Sequence, residues 1–311
     1  MVTVFSPAKI NLFLAITGRR ADGFHDLVSV VAQLDFGDEL AAASREQGPS
    51  FAKATEGRAG SRFTLECDMP GVPVDDSNLV LKAAHAFAAA TGWKGGAHFK
   101  VTKRIPPGAG LGGGSSNAVA ALRALNQLAG GLLRGDELAG IAAMLGADCA
   151  LFLSPAPVVM RGRGERIEPL EEGAARRLRG RRVLLFKPSF AISTAWAYGR
   201  MAARGTDYLP AVEAEARLAA WQRGGAAAEE MLFNNMEAVA FEKFVALPLL
   251  LEKLRAESGV VPRMSGSGSA CFALLGDPST GPGPADSVTR MKHVIAECWG
   301  PAAFVQEAGI L

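Results

Sequence analysis

The chain of 311 residues lacks an excess of charge of either sign: 33 Lys and Arg stand against 31 Asp and Glu, a formal net charge of +2. Binding nucleic acid or an anionic membrane surface by charge alone needs a one-sided excess of cations, so neither is an expected partner. Cysteine is sparse as well. Cys67, Cys149, Cys271 and Cys298 lie far apart with no Cys-x-x-Cys pairing, which argues against both a disulfide framework and a zinc site. No run approaches about eighteen uninterrupted apolar residues. The first ten residues carry no basic segment leading into an apolar stretch and a cleavage site. The expectation is therefore a reduced, cytoplasmic protein with no membrane span; oligomeric state is not legible.

What the chain has in excess is glycine, 36 of 311 residues, about 12% against a usual value of about 7%. With 49% hydrophobic residues and roughly 150 residues per domain, the chain has material for about two domains with cores of their own.

Val2 and Val4, then Ile10, Leu12 and Leu14, then Val28 and Val30 alternate with a period of two and predict antiparallel strands around a turn at Ala21-Asp22-Gly23. Residues 41–61 are small and charged without periodicity and read as a surface loop or hairpin tip. A short strand at 63–66, a helix over 78–91 with its N-cap from Asp76-Ser77, and a strand over 98–101 follow. Helices are expected over 116–129 and 136–145, then an apolar run over 150–153. Pro155–Pro157 is the candidate boundary between domains 1–155 and 156–311. Beyond it come a strand at 183–186, helices at 195–203, 211–223 and 247–258, and a strand at 270–275. A Gly/Pro-rich loop at 276–286, a helix at 287–298 and a strand at 302–306 complete the pattern. Strands and helices without strict alternation indicate an α+β fold.

The densest glycine cluster is Pro106-Pro107-Gly108-Ala109-Gly110-Leu111-Gly112-Gly113-Gly114-Ser115-Ser116, running straight into a helix. Missing Cβ atoms let backbone N–H groups converge on an anion, and the helix N-terminus adds its unpaired donors and dipole. The run is neither a Walker A loop nor a dinucleotide fingerprint. In Ser6-Pro-Ala-Lys9-Ile-Asn11-Leu-Phe-Leu14, strand alternation puts the Lys9 ammonium and the Asn11 carboxamide on one face. That face is either solvated or opposite an anion. Asp148, in Gly146-Ala-Asp148, reads locally as a cap or turn. If the helices at 116–129 and 136–145 form an antiparallel pair, about 20 Å out and about 15 Å back, Asp148 returns to the end that carries the glycine run. A carboxylate beside phosphates suggests a base or a magnesium ligand. A second small-residue loop, Ser265-Gly-Ser-Gly-Ser269, offers further donors or close packing. His25 is a satisfied turn residue or, with Phe24, a stacking and hydrogen-bonding site for a ring.

These segments together resemble the GHMP small-molecule kinases, and within them the branch that acts on a cytidine diphosphate polyol. The marks are the Lys9-x-Asn11 segment, Arg20-Ala-Asp-Gly-Phe-His25, Asp76-Ser-Asn-Leu79, Lys103-Arg-Ile-Pro106 with the glycine run, Gly146-Ala-Asp148, Gly162-Arg-Gly-Glu165, Ser193-Thr194 with Tyr198, and the Ser-Gly-Ser-Gly loop. Phe24 stands where the family pattern has Tyr, Cys149-Ala150 where it has Val-Pro, and Asn234-Asn-Met-Glu237 where it is more acidic. The resemblance implies a two-domain α+β fold with the active site in the interdomain cleft. It implies ATP held by residues 106–116 with Lys103 and Asn78 near the nucleotide, and Mg²⁺ with Ser115 as a contact. Asp148 would be the general base and Lys9 would orient the acceptor and stabilise developing charge. Asn11, Phe24, His25, Thr194 and Tyr198 would line the acceptor site, with Phe24 and Tyr198 stacking on cytosine. The implied reaction is γ-phosphoryl transfer to the 2-hydroxyl of diphosphocytidyl methylerythritol in the non-mevalonate isoprenoid pathway. A homoserine- or mevalonate-type kinase and a non-catalytic nucleotide-sensing relative are the alternatives.

Overall fold

The computed structural model describes residues 1–45, 61–276 and 285–311. The loops expected at 41–61 and 276–286 lie largely outside them. The chain divides into two compact units, each discontinuous: one comprises residues 1–8, 37–107 and 112–153, the other residues 9–36, 108–111 and 154–311. One crossing point, at 153/154, lies next to the Pro155–Pro157 segment. The others fall inside the first strands and inside the glycine run.

Two long strands, β1 (Val2–Arg19) and β2 (His25–Arg45), contribute to both units. In the first unit the later part of β2 pairs antiparallel with β4 (Gly96–Thr102), and β4 pairs parallel with β3 (Phe63–Cys67). Ala41 to Arg45 were expected to begin a loop, but each has a partner on β4. Their small side chains carry no apolar period, and ladder pairing overrides that weak local signal. Helix α1 (Leu79–Thr91) lies between β3 and β4 in sequence. Its N-cap is Asn78, whose side chain accepts from the Val80 N–H, rather than Asp76-Ser77. Asp75 caps the preceding turn at Ser77, so each polar side chain serves its own nearest free N–H. Helices α2 (Gly113–Leu128) and α3 (Gly135–Leu145) follow, then a short 3₁₀ turn (Ala150–Leu153). The apolar faces of α1 (Val80, Leu81, Ala84, Phe87) and α2 (Ala118, Ala121, Leu122, Leu125) are buried and pack together. Ala84, Ala118 and Ala121 stand among the larger side chains of the two faces.

In the second unit the early part of β2 pairs antiparallel with β5 (Val158–Gly162), which pairs with β6 (Arg166–Pro169). After α4 (Glu172–Arg176) comes β7 (Arg182–Lys187), the centre of a separate four-stranded antiparallel sheet. Next in sequence are α5 (Thr194–Arg204), α6 (Ala211–Arg223), α7 (Ala228–Met231), β8 (Phe233–Asn234), α8 (Glu237–Lys243) and α9 (Ala246–Ser258). The chain ends with β9 (Arg263–Met264), β10 (Cys271–Leu275), α10 (Ala285–Trp299) and β11 (Phe304–Gly309), giving the sheet order β11-β7-β10-β9. Leu184, Phe186, Cys271, Ala273 and Leu275 of this sheet are buried with Leu247, Leu250, Leu251 and Leu254 of α9 and with Met291, Val294 and Ile295 of α10. The spacings in α9 and α10 are those of one helical face. The α+β class expected from the sequence is the one observed. No helix among the described residues is long and apolar enough to cross a membrane.

Candidate active site

Helix α2 begins inside the glycine run, at Gly113 rather than at Ser116, with Gly112 as N-cap in the left-handed region and no side-chain cap. The first intrahelical bond runs from Ser116 N to Gly112 O at 2.9 Å. The N–H groups of Gly113, Gly114 and Ser115 therefore have no helical acceptor and present an anion-binding helix terminus. A side-chain carbon on Gly113 would fall 3.1 Å from Lys103 Nζ and 3.1 Å from the Ile105 side chain, tighter than ordinary van der Waals contact, so those side chains would have to give way to it.

Beneath this terminus lies a buried polar network. The Lys103 ammonium pairs with Asp38 and donates to Asn117 Oδ1 at 3.2 Å. Asp38 also accepts from Asn117 Nδ2 at 2.9 Å and from the backbone N–H groups of Arg104 and Ile105 at 2.7 and 2.8 Å. Ser6 Oγ receives Asn117 Nδ2 at 2.8 Å and donates to Ser116 Oγ at 2.9 Å. Lys103 thus spends its charge on Asp38 and fixes the segment that leads into the glycine run. Asn78 is committed to its helix, capping Val80 and donating to Pro73 O at 2.6 Å.

Gly146 stops α3, and the half-buried Asp148 follows in the turn before the 3₁₀ segment. The Cys149 thiol is hydrogen-bonded with Ser115 in the first turn of α2, which brings the turn carrying Asp148 to the anion-binding end, as the helix-pair argument required. Burial pushes the Cys149 thiol up to about 11, more than the Ser115 hydrogen bond pulls it down. At pH 7 about one molecule in 10⁴ then carries the thiolate. Iodoacetamide at neutral pH is expected to label the exposed Cys298 and spare Cys149, read by peptide mass. Rapid labelling of Cys149 in the folded protein would contradict its burial.

In the second unit Lys9 and Asn11 are both buried, at 4% and 7% exposure, and Lys9 Nζ donates to Asn11 Oδ1. Asn11 Nδ2 donates to Ser29 Oγ at 2.9 Å, which donates to Phe13 O at 2.6 Å. Period-two alternation correctly paired Lys9 with Asn11. It did not anticipate that both faces of the strand are covered. The second small-residue loop lies against these heads: a side-chain carbon on Gly266 would sit 3.5 Å from Lys9 Nζ. Residues 108–111 of the glycine run pack on the same loop, with Ala270 N donating to Ala109 O at 3.0 Å and Ser265 Oγ to Gly110 O at 3.2 Å. Asn234 clamps the loop from behind, donating to Met264 O at 2.7 Å and Gly266 O at 2.9 Å. Gly110 has φ +78°, and its missing side-chain carbon would lie 2.4 Å from Ser265 O. Gly110→Ala is expected to cost at least the 1–2 kcal/mol of the left-handed backbone. Gly114→Ala, where the nearest atom is 3.9 Å away, should be close to neutral by thermal denaturation. Equal melting temperatures for the two variants would contradict the packing of the two loops.

Thr194 begins α5 and shares a 2.9 Å hydrogen bond with Ser267 of that loop. His25 is buried, with its ring centroid 5.0 Å from Tyr198 and 5.9 Å from Tyr208, and its Nε2 is 3.1 Å from the Tyr208 hydroxyl. Tyr208 escaped the sequence reading. The chain has two tyrosines, and a second tyrosine close after Tyr198 was the available signal. Phe24 is exposed, under the Arg163 guanidinium at 4.7 Å.

Residues 78–155 match the model of the GHMP kinases N terminal domain, the segment that holds α1, the glycine run and Asp148. A 4-diphosphocytidyl-2-C-methyl-D-erythritol kinase of Protochlamydia amoebophila (strain UWE25) is 37% identical over 88% of this chain and 84% of its own length. The chain belongs to the 4-diphosphocytidyl-2-C-methyl-D-erythritol kinase family. Within this family the enzyme of Synechococcus elongatus is 34% identical over 95% of this chain and 92% of its own. A crystal structure of 4-(cytidine 5'-diphospho)-2C-methyl-D-erythritol kinase superposes with a TM-score of 0.73 at 32% identity, covering 99% of both chains. A mevalonate kinase of Methanococcus jannaschii, at 11% identity and a TM-score of 0.70, shares the fold. The chain is thus a GHMP-type small-molecule kinase of this family.

Proposed function

We propose that this kinase transfers the γ-phosphoryl group of ATP to the 2-hydroxyl of 4-diphosphocytidyl-2-C-methyl-D-erythritol, a step toward isoprenoid precursors. The observation that carries the reading is family membership across nearly the whole chain, with the anion-binding start of α2 intact. The backbone donors of residues 113–115 take the nucleotide phosphates. The rest of the glycine run, Asn78 and Lys103 shape the nucleotide's surroundings, Lys103 by holding the segment before the run. Asp148 accepts the proton of the attacking hydroxyl, and Lys9, oriented by Asn11, stabilises the charge that develops on transfer. Asn11, Phe24, His25, Thr194 and Tyr198 serve the acceptor.

Among the described residues no group of three or more His, Cys, Asp or Glu is arranged to hold a metal. That suits a magnesium ion carried in mainly by nucleotide phosphates and water, with Ser115 Oγ as a protein oxygen for it. Magnesium so bound would neutralise phosphate charge. The test is phosphorus NMR with Mg-ATP and the cytidyl substrate beside mevalonate and homoserine. A phosphomonoester formed from the cytidyl substrate alone is expected. Transfer to another alcohol instead would overturn the acceptor, and nucleotide binding without any transfer would favour a sensing role.

A further inference from the structure

The segment Asn234-Asn235-Met236-Glu237 takes no part in the steps above, yet its polar side chains are committed to two other elements of the second unit. The two-residue strand β8 pairs parallel with β1, Leu14 opposite Asn234. Asn235 continues that pairing with its side chain: Oδ1 accepts from Ile16 N and Nδ2 donates to Ile16 O, both at 2.9 Å. Asn234 and Glu237 serve residues 264–266 instead. Glu237 Oε1 accepts from Met264 N at 2.8 Å, while Asn234 Nδ2 donates to Met264 O at 2.7 Å and to Gly266 O at 2.9 Å. Asn234 Oδ1 accepts from Met236 N at 2.9 Å. An amide has donors on one atom and lone pairs on the other, so only this orientation satisfies all three contacts.

The two bonds donated by Asn234 straddle Ser265, which is fully buried. The Ser265 hydroxyl accepts from Asn11 N at 3.3 Å and donates to Gly110 O at 3.2 Å, so one oxygen ties the strand that carries Lys9 to the glycine run. Gly266 lies beside the Lys9 and Asn11 heads: a side-chain carbon there would sit 3.4 Å from Asn11 Oδ1 and 3.5 Å from Lys9 Nζ. A buried head group packed against backbone does not shift without that backbone, and the placement of this loop therefore decides where the Lys9 ammonium sits.

We infer that Asn234 is a positioning residue for phosphoryl transfer: by fixing the carbonyls on both sides of Ser265, it sets the loop that holds Lys9 and Asn11 in place. The inference rests on the role of Lys9 proposed above. Asn234 is itself 4% exposed and acts on the reaction only through that loop. A residue that merely supported the fold would lower the yield of folded protein without changing the rate per folded molecule, or would weaken binding and turnover together. A positioning residue changes the transfer step, and its effect disappears when the group it positions is removed.

Kinetics of Asn234→Ala, Lys9→Met and the double variant, with calorimetric titration of ATP, test it. Asn234→Ala should lower kcat by about tenfold to a hundredfold, the cost of a misplacement on the order of 1 Å. Its ATP affinity should stay within about threefold of the wild type, because the donors of residues 113–115 are not among its partners. In the Lys9→Met background the same change should cost less than about threefold. A wild-type kcat for Asn234→Ala, a parallel loss of ATP affinity, or an equal loss in both backgrounds overturns the inference. Ser265→Ala removes only the shared hydroxyl, should follow the same pattern, and carries the test if Asn234→Ala does not fold. Lys9→Met at the wild-type kcat overturns the role of Lys9 itself and the inference with it, an outcome distinct from a wild-type rate in Asn234→Ala alone.

Discussion

Asp148→Asn is expected to lower kcat by about 10²–10⁴-fold, the usual contribution of a positioned general base, while ATP affinity stays as in the wild type. The substitution is isosteric, and the turn around Asp148 is held by neighbours it leaves intact: Cys149 N donates to Gly146 O at 3.0 Å, and the Cys149 thiol meets Ser115. The start of α2, where the nucleotide phosphates are proposed to bind, offers backbone donors, which the substitution leaves in the chain. Single-turnover kinetics and calorimetric titration with ATP separate the two effects. Near wild-type turnover would remove Asp148 from the chemistry. Parallel losses of turnover and ATP affinity would make it a structural support of the cradle.

The second large effect is on stability. Asp38→Ala is expected to destabilise the fold by about 3–5 kcal/mol, the cost of breaking a buried ion pair from one side. Asp38 is fully buried and the Lys103 side chain is 6% exposed, so the variant strands an ammonium in the interior. The N–H groups of Arg104 and Ile105 and one Asn117 donor lose their acceptor as well. Replacing both partners with apolar residues, Asp38→Leu with Lys103→Met, should recover much of the loss, because desolvation of the charges is then no longer required. Urea denaturation of the two single variants and the double variant completes the cycle. Additive losses would show that the two side chains do not act as a pair.

These two residues differ in how visible they are from sequence. Asp148 sits in a short motif after a helix stop, and helix lengths together with an antiparallel helix pair bring it back to the start of α2. Asp38 lies in strand β2 and its partner is 65 positions away. No local pattern connects them, because Asp35 and Glu39 stand beside Asp38 and nothing in the sequence singles out the one that is buried. Ser29 and Asn234 are of the same kind, each fixed by an atom on a distant element. Tyr208 acquires meaning only when His25 arrives beside it.

Local pattern determined the class of the fold, the helices from α1 to α3, the glycine run that leads into α2 and the shared face of Lys9 and Asn11. All of these depend on periodicity, on missing Cβ atoms or on neighbours within a few residues. The tertiary structure decided where α2 begins, that Ala41–Arg45 extend a strand, and that Lys103 is spent on Asp38. It also decided that the two small-residue loops pack on one another and that His25 lies between two tyrosines. Those outcomes depend on which distant segments meet, and register and burial, rather than the identity of adjacent residues, set the partner of each buried polar group.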